Sequence, residues 1–230
     1  YINNLYIIYI YMCFSEEMSR NLTLMGTIVT YILYKQGKSW TVYMPVFYFT
    51  IMEFLQYLSY QALEEKKQNK KWKKLLTIII FIHIALQPLM TNIWYSNYIP
   101  KNMTDSMNLI LKLCVVVAFF MLLRLHEFVE VNDKYRCPET EPMCAKKTMI
   151  KQGIKHMKYL FRMRAPNHVV PSVFIHFFFI FIPVLFLKIN PLYYLSIFLG
   201  YALTMIIGFG NEIPAIWCTF SVPTMLISLL

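Results

Sequence analysis

The chain has 230 residues, of which 58% are apolar, 17% aromatic and only 15% charged, with a formal net charge of +10 and a mean hydropathy of +0.48. These values exclude a disordered chain, a collagen and a coiled coil. They also argue against an ordinary soluble domain, which carries about 25% charged residues. The charge is unevenly spread, and long stretches carry almost none, as in a membrane protein.

In chain order, residues 1–11 are read as a non-native or disordered leader ahead of the first methionine, Met12. The stretch lacks the basic start and small-residue cleavage site of a signal peptide. Residues 12–230 are read as one transmembrane helical domain. A helix rising about 1.5 Å per residue needs roughly 20 apolar residues to cross the hydrocarbon core. Seven segments approach that length: Met18 to Tyr34, Thr41 to Leu63, Leu75 to Tyr98, Met107 to Leu125, Val169 to Leu187, Pro191 to Phe209 and Ile213 to Leu230. The expected fold class is therefore all-α, a polytopic membrane bundle of seven helices. Six spans are the alternative, since the first segment contains Arg20 and Asn21. The runs are continuously apolar, not alternating, which disfavours a β-barrel.

Charge sets the expected orientation, because short loops rich in Lys and Arg stay cytoplasmic. The loop after the second segment holds Lys66, Lys67, Lys70, Lys71, Lys73 and Lys74. The loop after the fourth, at about residues 126–168, holds Lys134, Arg136, Lys146, Lys147, Lys151, Lys155, Lys158, Arg162 and Arg164. The opposite face holds Lys35, Lys38, Lys101 and Lys188. Seven spans then give a cytoplasmic N-terminus and an outside C-terminus, with the sequon Asn102-Met103-Thr104 outside and the one at Asn21 at the inner face.

The same rule accounts for the +10 charge without a nucleic-acid partner. The partners expected are the lipid bilayer and, at the cytoplasmic face, anionic headgroups touched by Lys66, Lys67, Lys70, Lys71, Lys73, Lys74, Lys151, Lys155 and Lys158. Between Lys146 and Arg164, Met149, Ile150, Ile154, Met157, Leu160 and Phe161 fall among basic residues at roughly helical spacing. This stretch is read either as an interfacial amphipathic helix or as a solvated basic linker. Cys137 and Cys144 lack the spacing of zinc or redox pairs and are expected as free thiols on a reducing side, while Cys114 is a small core residue.

Polar groups inside apolar segments are functional candidates by default. Glu53 lies about 15 Å from the inner end of its helix, His83 about 12 Å, and His176 and Cys218 roughly 9 to 11 Å, with Gln56 and Gln87 near the same level. Two readings compete: a hydrogen-bonded packing knot, or an inward-facing site in which Glu53, His83, His176 and Cys218 bind a zinc-type ion or move protons. No His-Glu-x-x-His spacing supports the metal reading, and no lysine in the last segment supports a retinal link. Gly-x-Ser-x-Gly elbows and phosphate-cradling glycine loops are also missing. Pro45, Pro88, Pro183, Pro214 and Pro223 fall in or near the segments, and Pro88 follows Gln87 directly.

The opening Met12-Cys13-Phe14-Ser15-Glu16-Glu17-Met18-Ser19 resembles the Met-Cys-Phe/Trp-Ser-x-x-x-Ser start of a family of small multipass membrane proteins of unknown function from bacteria and large DNA viruses. Thr50 to Tyr57 resembles that family's Gln-x-x-Glu-Gly/Phe-x-x-Trp element, with Thr50 for the Gln and Tyr57 for the Trp. Ile216 to Phe220 resembles its Ser-x-Trp-Cys-Phe/Trp-Phe element, with Pro214-Ala215 where the serine is expected. The resemblance implies that Met12 is the initiator and that Cys13, Ser15, Glu53, Trp217 and Cys218 share the inner half of the bundle. It brings no activity. The functional expectation is a multipass membrane protein with a polar cluster of Cys13, Ser15, Glu53, His83, His176, Trp217 and Cys218. Three activity classes stand beside it: a proton-coupled or small-solute transporter, a metal-dependent lipid hydrolase, and a structural scaffold.

Overall fold

The structure is a computed structural model that describes residues 15–64, 70–141, 143–154, 156–167, 173–186, 195, 198–200, 202–204, 206, 212 and 215–219. Among them the chain is mostly helical. Helix α1 spans Glu16–Lys35, α2 Trp40–Glu64, α3 Lys70–Tyr95, α4 Thr104–Leu122 and α5 Val173–Phe186. Two short strands, β1 Met149–Gln152 and β2 Met157–Leu160, lie between α4 and α5. Residues 1–14, including Cys13, lie outside the described residues, as do most of the segments expected at Pro191 to Phe209 and Ile213 to Leu230.

Local chemistry sets the ends of α1. The Ser15 hydroxyl accepts the Met18 N–H at 3.2 Å, with Glu16 and Glu17 in the first turn and Lys35 in the last, each complementing the helix dipole. Gly37 (φ 69°) turns the chain left-handed. The Gly37 N–H then donates to Tyr34 O and the Lys38 N–H to Leu33 O at 3.1 Å, closing the paired bonds that end a helix at glycine. The buried residues Ser19, Leu22, Gly26, Val29 and Leu33 recur every three or four positions and form one seam against α2. At Gly26 the helices approach so closely that an added Cβ would collide with Thr50 Oγ1.

The α1–α2 turn meets the end of α3, where Asn97 Nδ2 donates to Thr41 O at 3.1 Å. At the other end Lys74 pairs with Glu127 at 3.2 Å, so the α3 start and the chain after α4 share one face. Asn92, one turn after Pro88, donates to Pro88 O and to Phe179 O, each at 2.8 Å, and ties α3 to α5.

The chain after α4 corrects two expectations. It is neither an amphipathic helix nor a solvated linker, and the all-α class gains a small antiparallel sheet with Met149 opposite Leu160 and Lys151 opposite Lys158. Met157, Tyr159, Phe161 and Met163 are all buried. This is the two-residue period of a strand, and it outweighs the looser helical match. Cys137 and Cys144 are not free thiols but a disulfide with Cα atoms 6.0 Å apart. The turns Glu141 N–H to Pro138 O and Cys144 N–H to Glu141 O bring them together, and both cysteines sit beside the strand continuation at 161–163. Arg124, fully buried, is held by Glu141 at 2.9 Å and Arg164 O at 3.1 Å. Phe161 packs on Phe81 of α3 at 4.7 Å and seats the insert on the bundle.

Two helices are long and apolar enough to cross a membrane among the described residues, Lys70–Tyr95 and Lys101–Leu122, the latter joining a 3-10 turn to α4. The expected seven are thus not matched. Helix α1 carries Glu16, Glu17, Arg20 and three threonines, α2 is rich in tyrosine, and α5 runs for 14 residues.

Candidate functional site

Glu53, Gln56 and Tyr60 recur at three- and four-residue spacing on α2, and His83, Gln87 and Thr91 at four-residue spacing on α3. Helical geometry therefore lines each set along one face. All six are buried. The described helical residues 215–219 add Cys218 and Thr219, and the insert adds His156 and Tyr159.

One half of this interior is a connected hydrogen-bond network. The Gln56 amide donates to Ala215 O at 2.9 Å, while its oxygen accepts the Ser19 hydroxyl at 3.5 Å and the Thr219 hydroxyl at 3.4 Å. Three separate parts of the chain meet on that side chain. Thr219 also faces His156 Nε2 at 3.5 Å, and the Tyr60 hydroxyl faces His156 Nδ1 at 3.0 Å. Nδ1 accepts the Met157 N–H at 2.8 Å, so the proton of the neutral ring is assigned to Nε2. Burial pushes the His156 imidazole down to about 3, and raises the Tyr159 phenol well above its ordinary value.

Glu212 anchors this half from below. Fully buried, its two oxygens accept the Ile154 N–H at 2.7 Å and the His156 N–H at 2.8 Å, with Lys158 at 3.8 Å. A Cβ at Gly153 would strike both the Glu212 carboxylate and His156 O, so the turn has no room for a side chain there.

The other half is not satisfied in this way. Neither Glu53 oxygen has a hydrogen-bond partner among the described residues, and neither has His83 Nε2. The His83 ring stacks on Tyr48 with centroids 3.7 Å apart, and the Tyr48 hydroxyl donates to the His83 carbonyl. Cys218 Sγ accepts the Gln87 amide at 3.0 Å and lies within electrostatic range of Glu53, Tyr48 and Tyr159.

Of the residues singled out in the sequence, Glu53, His83 and Cys218 are thus brought into one interior. Trp217 is buried against Phe181 at 6.2 Å. Ser15 caps α1 and stands apart from the group. Cys13 and the His176 side chain lie outside what is described. Glu53, His83 and Cys218 do not approach to metal-ligand distance. Among the described residues such a group forms at Cys137, Glu141 and Cys144, whose sulfurs are bonded to each other. Lys70, Lys71, Lys74 and Lys151 are exposed and Lys73 and Lys158 half-buried, while Lys66, Lys67 and Lys155 are not described.

His156, Glu212, Tyr60 and Tyr159 were not foreseen. The alternation from Met157 to Met163 is the available signal for the strand; nothing local marks Glu212 or His156, which is buried out of step with that alternation. Comparison with curated proteins and with solved structures gives no match. A family model does match residues 17–230, and the chain belongs to that family, a family of unknown function (DUF5765).

Proposed function

We propose that the chain is a polytopic integral membrane protein, with the basic end of the bundle cytoplasmic, in which Glu53 is the proton-carrying group of a pathway for protons or a proton-coupled small solute. The membrane reading draws on the polarity of the bundle. Leu24, Ile28 and Tyr31 of α1, Leu109, Val115 and Phe119 of α4 and Phe178 of α5 are exposed, whereas Glu53, Gln56, His83, Gln87 and Asn92 are buried. An apolar exterior of this extent calls for lipid or another apolar cover, and two helices have the length and hydropathy to span.

The orientation draws on charge, which acts during insertion and so ahead of disulfide formation. Burial of Cys137 and Cys144, 1% and 2% exposed, then shields their bond from thiol reductants.

One observation carries the functional reading: a fully buried carboxylate that accepts no hydrogen bond among the described residues, the nearby Ser19 hydroxyl being turned toward Gln56. A bare charge there costs several kcal/mol, so the group holds a proton or a cation. Cys218 lies within electrostatic range of it, whereas Gln56 is fully engaged in joining helices. The test is proton uptake by proteoliposomes carrying a pH-sensitive dye, driven by a potassium diffusion potential. Wild-type protein is expected to admit protons, and Glu53→Gln to abolish the uptake while the thermal transition stays within a few degrees. Uptake unchanged in Glu53→Gln would refute the role of Glu53, and none in the folded wild type would refute a pathway for protons alone.

A further inference from the structure

The β1–β2 insert carries a cavity of about 520 Å³ that the interior site does not use. Lys146, Lys147, Lys151 and Lys158 line it, with Glu139 the one carboxylate among the described lining residues. Its volume falls within the roughly 300–1,000 Å³ of small-ligand sites.

The register explains why the charges converge. Lys151 stands directly opposite Lys158, and two residues along each strand Met149 stands opposite Leu160, so all four share one face of the hairpin. Like charges directly opposed across an antiparallel pair are destabilising. Partial compensation exists for Lys158, at 3.8 Å from Glu212, and for Lys146, 4.0 Å from an exposed Glu139. Lys147 and Lys151 have no acidic partner among the described residues. A fold that sets two lysines side by side on one hairpin face lining a cavity, and brings two more to its wall, suits a compact, multiply charged anion. A phosphate dianion offers oxygens on several sides to separate ammonium groups, which bind phosphate as point charges.

The geometry points to a phosphate-binding site in this cavity, occupied by a phosphate monoester that is either free in solution or the headgroup of a lipid. Met149 and Leu160 give the cavity an apolar wall that suits the glycerol or alkyl stem of such an ester. The inference is independent of Glu53 and of any transport.

The full chain in nanodiscs tests it by isothermal titration. Inorganic phosphate is titrated against discs of phosphatidylcholine alone, and short-chain phosphatidic acid is compared with short-chain phosphatidylserine in the same discs. Saturable binding of phosphate identifies the soluble source. Binding confined to phosphatidic acid, and tighter than to phosphatidylserine, identifies the headgroup. In either case the double variant Lys147→Gln/Lys151→Gln is expected to weaken binding about tenfold or more, while Lys70→Gln/Lys71→Gln, on the same end of the bundle but outside the cavity, leaves it within about twofold. Equal losses in the two variants, equal affinity for both lipids with no phosphate binding, or no binding at all would overturn the site. Both targeted pairs are exposed, and a thermal melt of each variant confirms that the fold is kept.

Discussion

Glu53 and Gln56 lie one helical turn apart and present nearly equal volumes, yet their surroundings differ completely. Gln56 uses its amide on Ala215 and its oxygen on Ser19 and Thr219. Glu53 has comparable capacity and finds no partner among the described residues. Sequence depth alone put both at one level and could not tell a joint from a site, because hydrogen-bond completion depends on residues as distant as Thr219. His156 shows the same limit more sharply. The sequence places it in a basic loop, although its ring lies against Tyr60 and Thr219, with Glu212 fixing the backbone around it. Its folded-state value, about 3, lies below the ordinary 6.5, so the unfolded chain takes up a proton first as the solution is acidified. The stabilisation is complete above about 6.5 and is lost progressively as the pH falls toward about 3. Unfolding midpoints in denaturant, measured from pH 8 to pH 4, are expected to fall more steeply for the wild type than for His156→Gln.

At the scale of elements, the hydropathy pattern located the first four helices to within a few residues. The segment expected at Thr41 to Leu63 is α2, Trp40–Glu64, and Met107 to Leu125 corresponds to α4, Thr104–Leu122. Apolar runs bounded by Gly37 and the lysines of the α2–α3 connection are strong signals, since a helix needs both its buried stripe and its stops. The insert was less legible because Met149, Ile150, Ile154 and Met157 fit a helical period by coincidence, while β1 and β2 span only four residues each. A short strand leaves a short trace. The α1–α2 contact at Gly26 gives a further test. Gly26→Ala is expected to destabilise the protein by about 1 to 3 kcal/mol through the collision with Thr50. Gly26→Ala combined with Thr50→Ala should recover much of that loss, and thermal unfolding of the two single variants and the pair measures the coupling.

For the molecule as a whole, the sequence conveyed polarity better than span count. The two lysine-rich segments do share one end, tied by Lys74 and Glu127. The expected count of seven depended on tyrosine- and threonine-rich helices behaving as spans, and such helices derive much of their burial from each other. The proposed sidedness rests on the same charge asymmetry. Asn102 is exposed on the end opposite the insert. Translation into microsomes is expected to attach a glycan there, seen as a mobility shift lost in Asn102→Gln and retained in Asn21→Gln; a shift with the reverse dependence would invert the orientation.

The bond between Glu212 and the backbone at Ile154 and His156 also bears on how the protein can be divided. The hairpin tip packs the His156 ring against Tyr60 and Thr219 and so forms one wall of the buried polar network. Excising it to obtain a simpler bundle would strip Tyr60 and Thr219 of their His156 partner rather than trim an appendage, and a proteolytic nick near Gly153 would be felt at Glu212 before it altered the outer surface.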